Sequence, residues 1–187
     1  MSLFEFLMVF VSIIVGLGVT EALSGIARQI RFRDASGAYW VHSCLVALVL
    51  LALVQNWWEL WQLRELSQWG FSSLLFMLVP PASMYLIAHL LFPDPVRGSD
   101  FRAYYFGPMR PVWWLAVLAA TSSTLFRPLA FGSDLVSLDN VSAALMVVGF
   151  VTLGVSRNPW LHAIAVPAFL GLLLWDVLYW VPVIGTS

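Results

Sequence analysis

Residues 3–27 read LFEFLMVFVSIIVGLGVTEALSGIA, and this stretch decides the fold. Its only ionisable groups are Glu5 and Glu21, and it exceeds the roughly 20 mostly apolar residues that a helix needs to cross a bilayer. No basic segment precedes it, it is too long for a signal-peptide core, and no small-x-small cleavage site follows. It reads as a permanent first span.

Working outward, similar segments recur at 38–63, 71–92, 111–127, 136–156 and 160–183. Of 187 residues, 61% are hydrophobic and 10% charged, against about 25% charged in soluble domains. A short soluble fold leaves too much of its area in water to hide that apolar surface, whereas lipid solvates it. The expectation is an all-α polytopic bundle of six spans forming one domain over residues 1–187, built as three helical hairpins. Its surroundings are the lipid bilayer. The net charge of −1 supplies no basic field, so nucleic acid is not an expected partner.

Arginine placement gives an orientation. Arg28, Arg31, Arg33, Arg97, Arg102, Arg110 and Arg157 fall in the odd-numbered connections; Arg64 and Arg127 fall on the other side. The positive-inside rule then places the odd loops in the cytoplasm and both termini outside. Every cation is arginine and none is lysine, a bias that a high-GC bacterial genome produces. The expected location is therefore a bacterial inner membrane. Tryptophans sort accordingly: Trp57, Trp58, Trp61, Trp69, Trp175 and Trp180 towards the outer interface, and Trp40, Trp113, Trp114 and Trp160 towards the inner one. Indole collects there because one edge donates a hydrogen bond while its body is apolar. Cys44, the single cysteine, forms no disulfide within the chain and reads as a small buried hydrophobe.

Several features address packing. In the first span Ser12, Gly16, Thr20 and Ser24 recur every four residues, and Gly18, Glu21 and Gly25 form a second face. Small residues let membrane helices approach closely, so two such faces predict a central helix with neighbours on two sides. Pro80-Pro81 and Pro167 remove amide donors within the third and sixth spans, predicting bent or broken helices. The 157–159 connection is so short that the fifth and sixth spans are expected to form an antiparallel hairpin. The aromatic segment Phe101-Arg102-Ala103-Tyr104-Tyr105-Phe106 reads as interfacial, in contact with lipid headgroups. A faint repeat aligns Trp40-Val41-His42 with Trp160-Leu161-His162, and Trp58-Glu59 with Trp175-Asp176.

An ionisable group at membrane depth costs about 2.5–3.5 kcal/mol even on insertion scales, so each one requires a reason. Glu21 lies about two turns inside the first span, a position for a proton carrier or for the partner of an arginine or histidine. His42, His89 and His162 all fall just inside the expected inner boundary. Imidazole there can move protons or ligate a metal or haem, although no two share a helix at ligating spacing. Gln55, Glu59 and Gln62, with Asn56 beside them, form a polar stripe near the outer end of the second span, and Asp176 lies near the outer end of the sixth. Arg127 is an ion-pair candidate for Asp176 or Glu59. Thr121-Ser122-Ser123-Thr124 offers a hydroxyl-lined wall on the fourth span.

The sequence contains no GxSxG, Walker, GxGxxG or HExxH pattern, so no enzyme signature is present. Three functional expectations follow. The first is a small proton- or ion-linked transporter or channel using Glu21, His42, His89, His162, Gln55, Asn56, Glu59 and Asp176, in which Glu21→Gln abolishes flux. The second is a non-catalytic subunit or scaffold of a membrane complex, or a homo-oligomer. The third is a haem or metal protein using the histidines.

Overall fold

The computed structural model describes residues 3–35, 37–65, 70–131 and 138–179. It is all-helical, and β pairing among the described residues is limited to one isolated bridge between Gly37 and Asp100. The helices are α1 (Leu3–Arg31), α2 (Trp40–Glu59), α3 (Phe71–Leu90), α4 (Phe101–Phe106), α5 (Pro111–Phe131), α6 (Leu138–Val155) and α7 (Pro159–Tyr179). Among the described residues four helices, in α1, α2, α3 and α7, are long and apolar enough to cross a membrane; α5 and α6 contribute shorter apolar stretches, Pro111–Phe126 and Ala143–Val155. Trp69, Trp180 and the expected span ends at 136–137 and 180–183 lie outside the described residues.

The outward faces explain why lipid is the fitting solvent. Phe6, Val9, Phe10, Ile13 and Leu17 on α1, and Trp160, Ile164, Leu172 and Leu178 on α7, are all exposed. Burial of a Leu or Phe side chain is favourable by roughly 1.5–3 kcal/mol, so leaving so many in water would be unfavourable. The protein interior is apolar as well, with Val11, Val41, Leu53, Leu91 and Val166 fully buried.

α3 packs chiefly against α5 and α1, α6 lies on α5, and α7 lies on α2. The hairpin expected from the short 157–159 connection is a splayed one. α6 and α7 touch narrowly, where the Phe169 ring stacks edge-on to Phe150 at 5.1 Å and occupies the space a Cβ on Gly149 would need. The paired α2 and α7 are parallel, because both leave the same end of the bundle.

That end is defined by contacts among the odd-numbered connections. Gly37 N–H donates to the Ser99 carbonyl at 3.1 Å and the Phe101 N–H donates to the Gly37 carbonyl at 3.2 Å. Arg110 Nη2 donates to the Gly154 carbonyl at 2.7 Å, joining the start of α5 to the end of α6. Arg28, Arg31, Arg33, Arg97, Arg102, Arg110 and Arg157 therefore gather at this arginine-rich end. At the opposite end Trp57 Nε1 donates to Ser12 Oγ at 2.9 Å and Phe4 meets Trp61 edge-on.

Two sequence expectations about helices change. Pro80 and Pro81 are buried inside α3, and Pro167 lies inside α7, yet both helices run unbroken through them. The two small-residue faces of α1 also differ. At Gly18 a Cβ would press on Leu53 of α2 and lie near the Tyr85 backbone of α3, and at Gly25 it would overlap the Phe92 ring. This face holds the neighbours. A Cβ at Gly16 would meet nothing within 4 Å, and Gly16 and Thr20 are exposed, so the middle of the other face is open, while Ser12 at its outer end receives the Trp57 indole N–H from α2.

Candidate functional site: the α2–α7 seam

One matched pair of the faint repeat, Glu59 and Asp176, is brought together through the amide of Gln55. His42 and His162 lie in the first turns of α2 and α7, and Glu59 and Asp176 lie in their last turns. Along α7, His162, Val166, Phe169 and Leu173 are buried at helical spacing, and Asp176 continues the same stripe. On α2, Gln55 faces α7, while Leu53 is buried against Gly18 of α1. At 1.5 Å per residue, about 21 Å of this apolar seam separates His162 from Asp176.

The arginine-rich end of the seam is covered by α4. Asp100 caps this helix, accepting from the N–H groups of Arg102 at 2.8 Å and Ala103 at 3.2 Å. Phe101 and Tyr105, one turn apart, form its inward face and are essentially inaccessible, while Arg102 and Ala103 are exposed. The segment expected to lie among lipid headgroups is thus half embedded in the protein. An alternation set by helical spacing, not composition, decides which half.

Phe101 lies against His42 at 4.8 Å between centroids, and Phe92 meets the same imidazole edge-on at 5.5 Å. Tyr105, Phe106 and Trp113 surround His162 at 5.3, 5.1 and 5.5 Å. Tyr104 donates its hydroxyl to the carbonyl of Leu90 at 3.0 Å, tying α4 to the end of α3.

The hydrogen-bond network assigns the tautomers. Burial pushes the phenol of Tyr105 well above its ordinary value, with the neighbouring Tyr39 adding to the shift, so its O–H stays protonated. It donates to His162 Nδ1 at 2.9 Å, and Nε2–H of the same ring donates to the Ser156 carbonyl at 3.1 Å. Both ring nitrogens of His162 are thus engaged. His42 donates Nε2–H to the Leu91 carbonyl at 2.6 Å, and its Nδ1 is a buried acceptor without a partner among the described residues.

His89 is elsewhere. Its Nδ1 lies 3.3 Å from Glu21 Oε1, and Arg28 Nη2 approaches the same oxygen at 3.8 Å. Glu21 therefore takes both of the partners weighed for it, a loop-one arginine and a histidine, on the half-exposed α1–α3 surface. The three histidines do not converge, and among the described residues no group of three His, Cys, Asp or Glu side chains is placed to hold a metal ion.

At the opposite end the polar residues do converge. Gln55 Nε2 donates to Glu59 Oε1 at 3.0 Å and to Asp176 Oδ2 at 2.6 Å, so one amide serves both carboxylates. Gln55 Oε1 and Asn56 Oδ1 are buried acceptors with no partner among the described residues. Buried carbonyl oxygens lacking donors are rare, and such atoms in native structures commonly meet a water or an ion. The side chains of Arg127 and Gln62 lie outside the described residues. The hydroxyl wall on α5 is partly self-satisfied: Ser122 donates to the Leu118 carbonyl at 2.6 Å and Thr124 to that of Ala120 at 2.8 Å.

Sequence reasoning missed Gly37, Phe92 and the paired roles of Phe101 and Tyr105. The signal for α4 was present in Asp100 as a cap followed by aromatics spaced by one turn. No known family model matches this chain, and neither characterised proteins nor solved structures provide a match.

Proposed function

We propose that the chain is a small proton- or ion-linked transporter or channel of a bacterial inner membrane, with six spans and both termini outside. The arginine-rich end is then cytoplasmic, following the positive-inside rule. The observation that carries the reading is the amide of Gln55 held between Glu59 and Asp176, beside Gln55 and Asn56 oxygens that have no partner among the described residues. Carboxylate and amide oxygens are the ligand types that hard cations accept, and a carboxylate at this depth is also a proton acceptor.

In this conformation the seam between its polar ends is apolar, and α4 covers the cytoplasmic mouth. Transport requires α7 to move against α2, and the narrow α6–α7 contact leaves α7 held chiefly by that seam. The test is flux in proteoliposomes under an imposed proton or sodium gradient. Asp176→Asn is expected to abolish flux while the protein stays folded; undiminished flux in that variant overturns the proposal. Glu21→Gln, measured alongside, reports whether the α1–α3 ion pair belongs to the same path.

A subunit role in a larger assembly is the second reading. Its support is the exposed Gly16–Thr20 stretch of α1, which has the small-residue character of a helix–helix interface and, at Gly16, nothing within 4 Å among the described residues. Gentle solubilisation followed by mass measurement tests it: a partner or second copy lost on Gly16→Leu supports it, and a lone chain of unchanged mass sinks it.

A further inference from the structure

At the arginine-rich end, α1 and α2 diverge around a groove of about 430 Å³ lined by Ile26, Gln29, Ile30, Arg33, Ser43, Val46, Ala47 and Leu50. Its floor is made by the small exposed residues Ser43 and Ala47, one turn apart on α2, and Ile30 forms an exposed wall. The lining is graded. Gln29, Arg33 and Ser43 are polar and lie towards the helix ends, whereas Ile26, Val46, Ala47 and Leu50 continue into the bundle.

We propose that this slot binds one anionic phospholipid, with its phosphate at Arg33 and one acyl chain lying over Ser43 and Ala47. Arg28 and Arg31 end the same helix and raise the local positive potential. Arg28 is shared with Glu21, and Arg33 approaches Asp34 at 3.4 Å, but the Arg33–Asp34 pair is almost wholly exposed. A pair so solvated contributes little, and a guanidinium has donors left for a phosphate. The lining favours a lipid, because the cationic rim at Arg33 suits its phosphate and the apolar Ile26, Val46, Ala47 and Leu50 suit its acyl chain.

The experiment is native mass spectrometry of the full chain in detergent, offered dioleoyl phosphatidylglycerol and dioleoyl phosphatidylcholine at equal concentration. The anionic lipid is expected to be retained in excess. Arg33→Gln should cut that excess about fivefold, the equivalent of roughly 1 kcal/mol for one cation near an anionic surface. Arg33→Lys should retain most of it. Ala47→Trp, which fills the slot from an exposed position, should lower retention of both lipids. Equal retention of the two lipids by the parent chain, or unchanged retention in Ala47→Trp, overturns the proposal, as does a doubled mass that Ala47→Trp abolishes.

Discussion

At the arginine-rich end of the α2–α7 seam, His162 has both ring nitrogens engaged and sits inside a cage of Tyr105, Phe106 and Trp113. About 21 Å along the same helices, at their carboxylate end, Gln55 divides one amide between Glu59 and Asp176 while two buried carbonyl oxygens have no donor among the described residues. Helix geometry is the same at both ends, so the contrast comes from what covers them. α4 brings in aromatic surface and a phenol donor at one end. At the other, α2 and α7 meet each other with polar groups of their own. The His162 site, satisfied and covered, specifies packing, with His42 Nδ1 the exception beside it, whereas the two unpaired oxygens at the carboxylate end leave room for a proton, a water or an ion.

If that contrast is real, substitution at the two ends should damage different properties. Tyr105→Ala should produce the largest loss of stability, about 3–5 kcal/mol, because it empties the volume of a fully buried ring. It also leaves His162 Nδ1 without its donor. Asp176→Asn keeps the shape of the side chain and the site's access to polar partners, so its stability cost should stay within about 1 kcal/mol. Chemical unfolding in mixed micelles compares the two directly, and equal losses would erase the distinction between a structural end and a functional one.

The fold class was legible because hydropathy over 20-residue windows depends on the solvent alone, and residues 3–27 carry that signal unaided. Glu59 and Asp176 stood out in the sequence as matched positions of the faint repeat and as alternative partners of Arg127, but not as neighbours of each other. That two such helices lie parallel and adjacent is not a local property, and the sequence carried it only as a pattern match. The three histidines show the limit. Depth placed them at one level, but depth says nothing about azimuth, and azimuth sends His89 to Glu21 on the α1–α3 surface and the other two beneath α4. Residues 101–106 show the same limit: their composition is that of an interface, and only the one-turn spacing of Phe101 and Tyr105 reveals the embedded side.

A smaller effect is expected where α1 supports the covered end. Phe92 stacks edge-on to His42, and its ring lies against Gly25 in the space a side chain would need. Gly25→Ala should displace that ring and cost roughly 1–3 kcal/mol as overpacking. Gly16→Ala, on the same helix but with nothing within 4 Å, is expected to be neutral or slightly stabilising through helix propensity. Matched unfolding curves for the pair check this. If both substitutions are neutral, the Phe92–His42 contact is loose and the covered end is less rigid than its burial indicates.

The smallest effect isolates a single hydroxyl. Tyr105→Phe keeps the ring against His162 and removes only the donor to Nδ1, so it should cost about 1–2 kcal/mol at neutral pH. The same variant should also change the alkaline limb of stability. The phenol of Tyr105 is raised above its ordinary value of 10.0, first by burial and then by Tyr39, so the unfolded chain releases this proton at lower pH than the folded one. Its stabilising contribution is therefore complete below about pH 10 and is lost as the pH rises beyond that value. Burial raises Tyr39 and Tyr104 in the same direction, so part of the alkaline loss should survive the substitution. The parent chain should lose stability more steeply above pH 10 than Tyr105→Phe does, and the two curves should run parallel between pH 6 and about pH 9. Parallel curves throughout would mean that the Tyr105 hydroxyl is open to water, and the covered end would then resemble the carboxylate end after all.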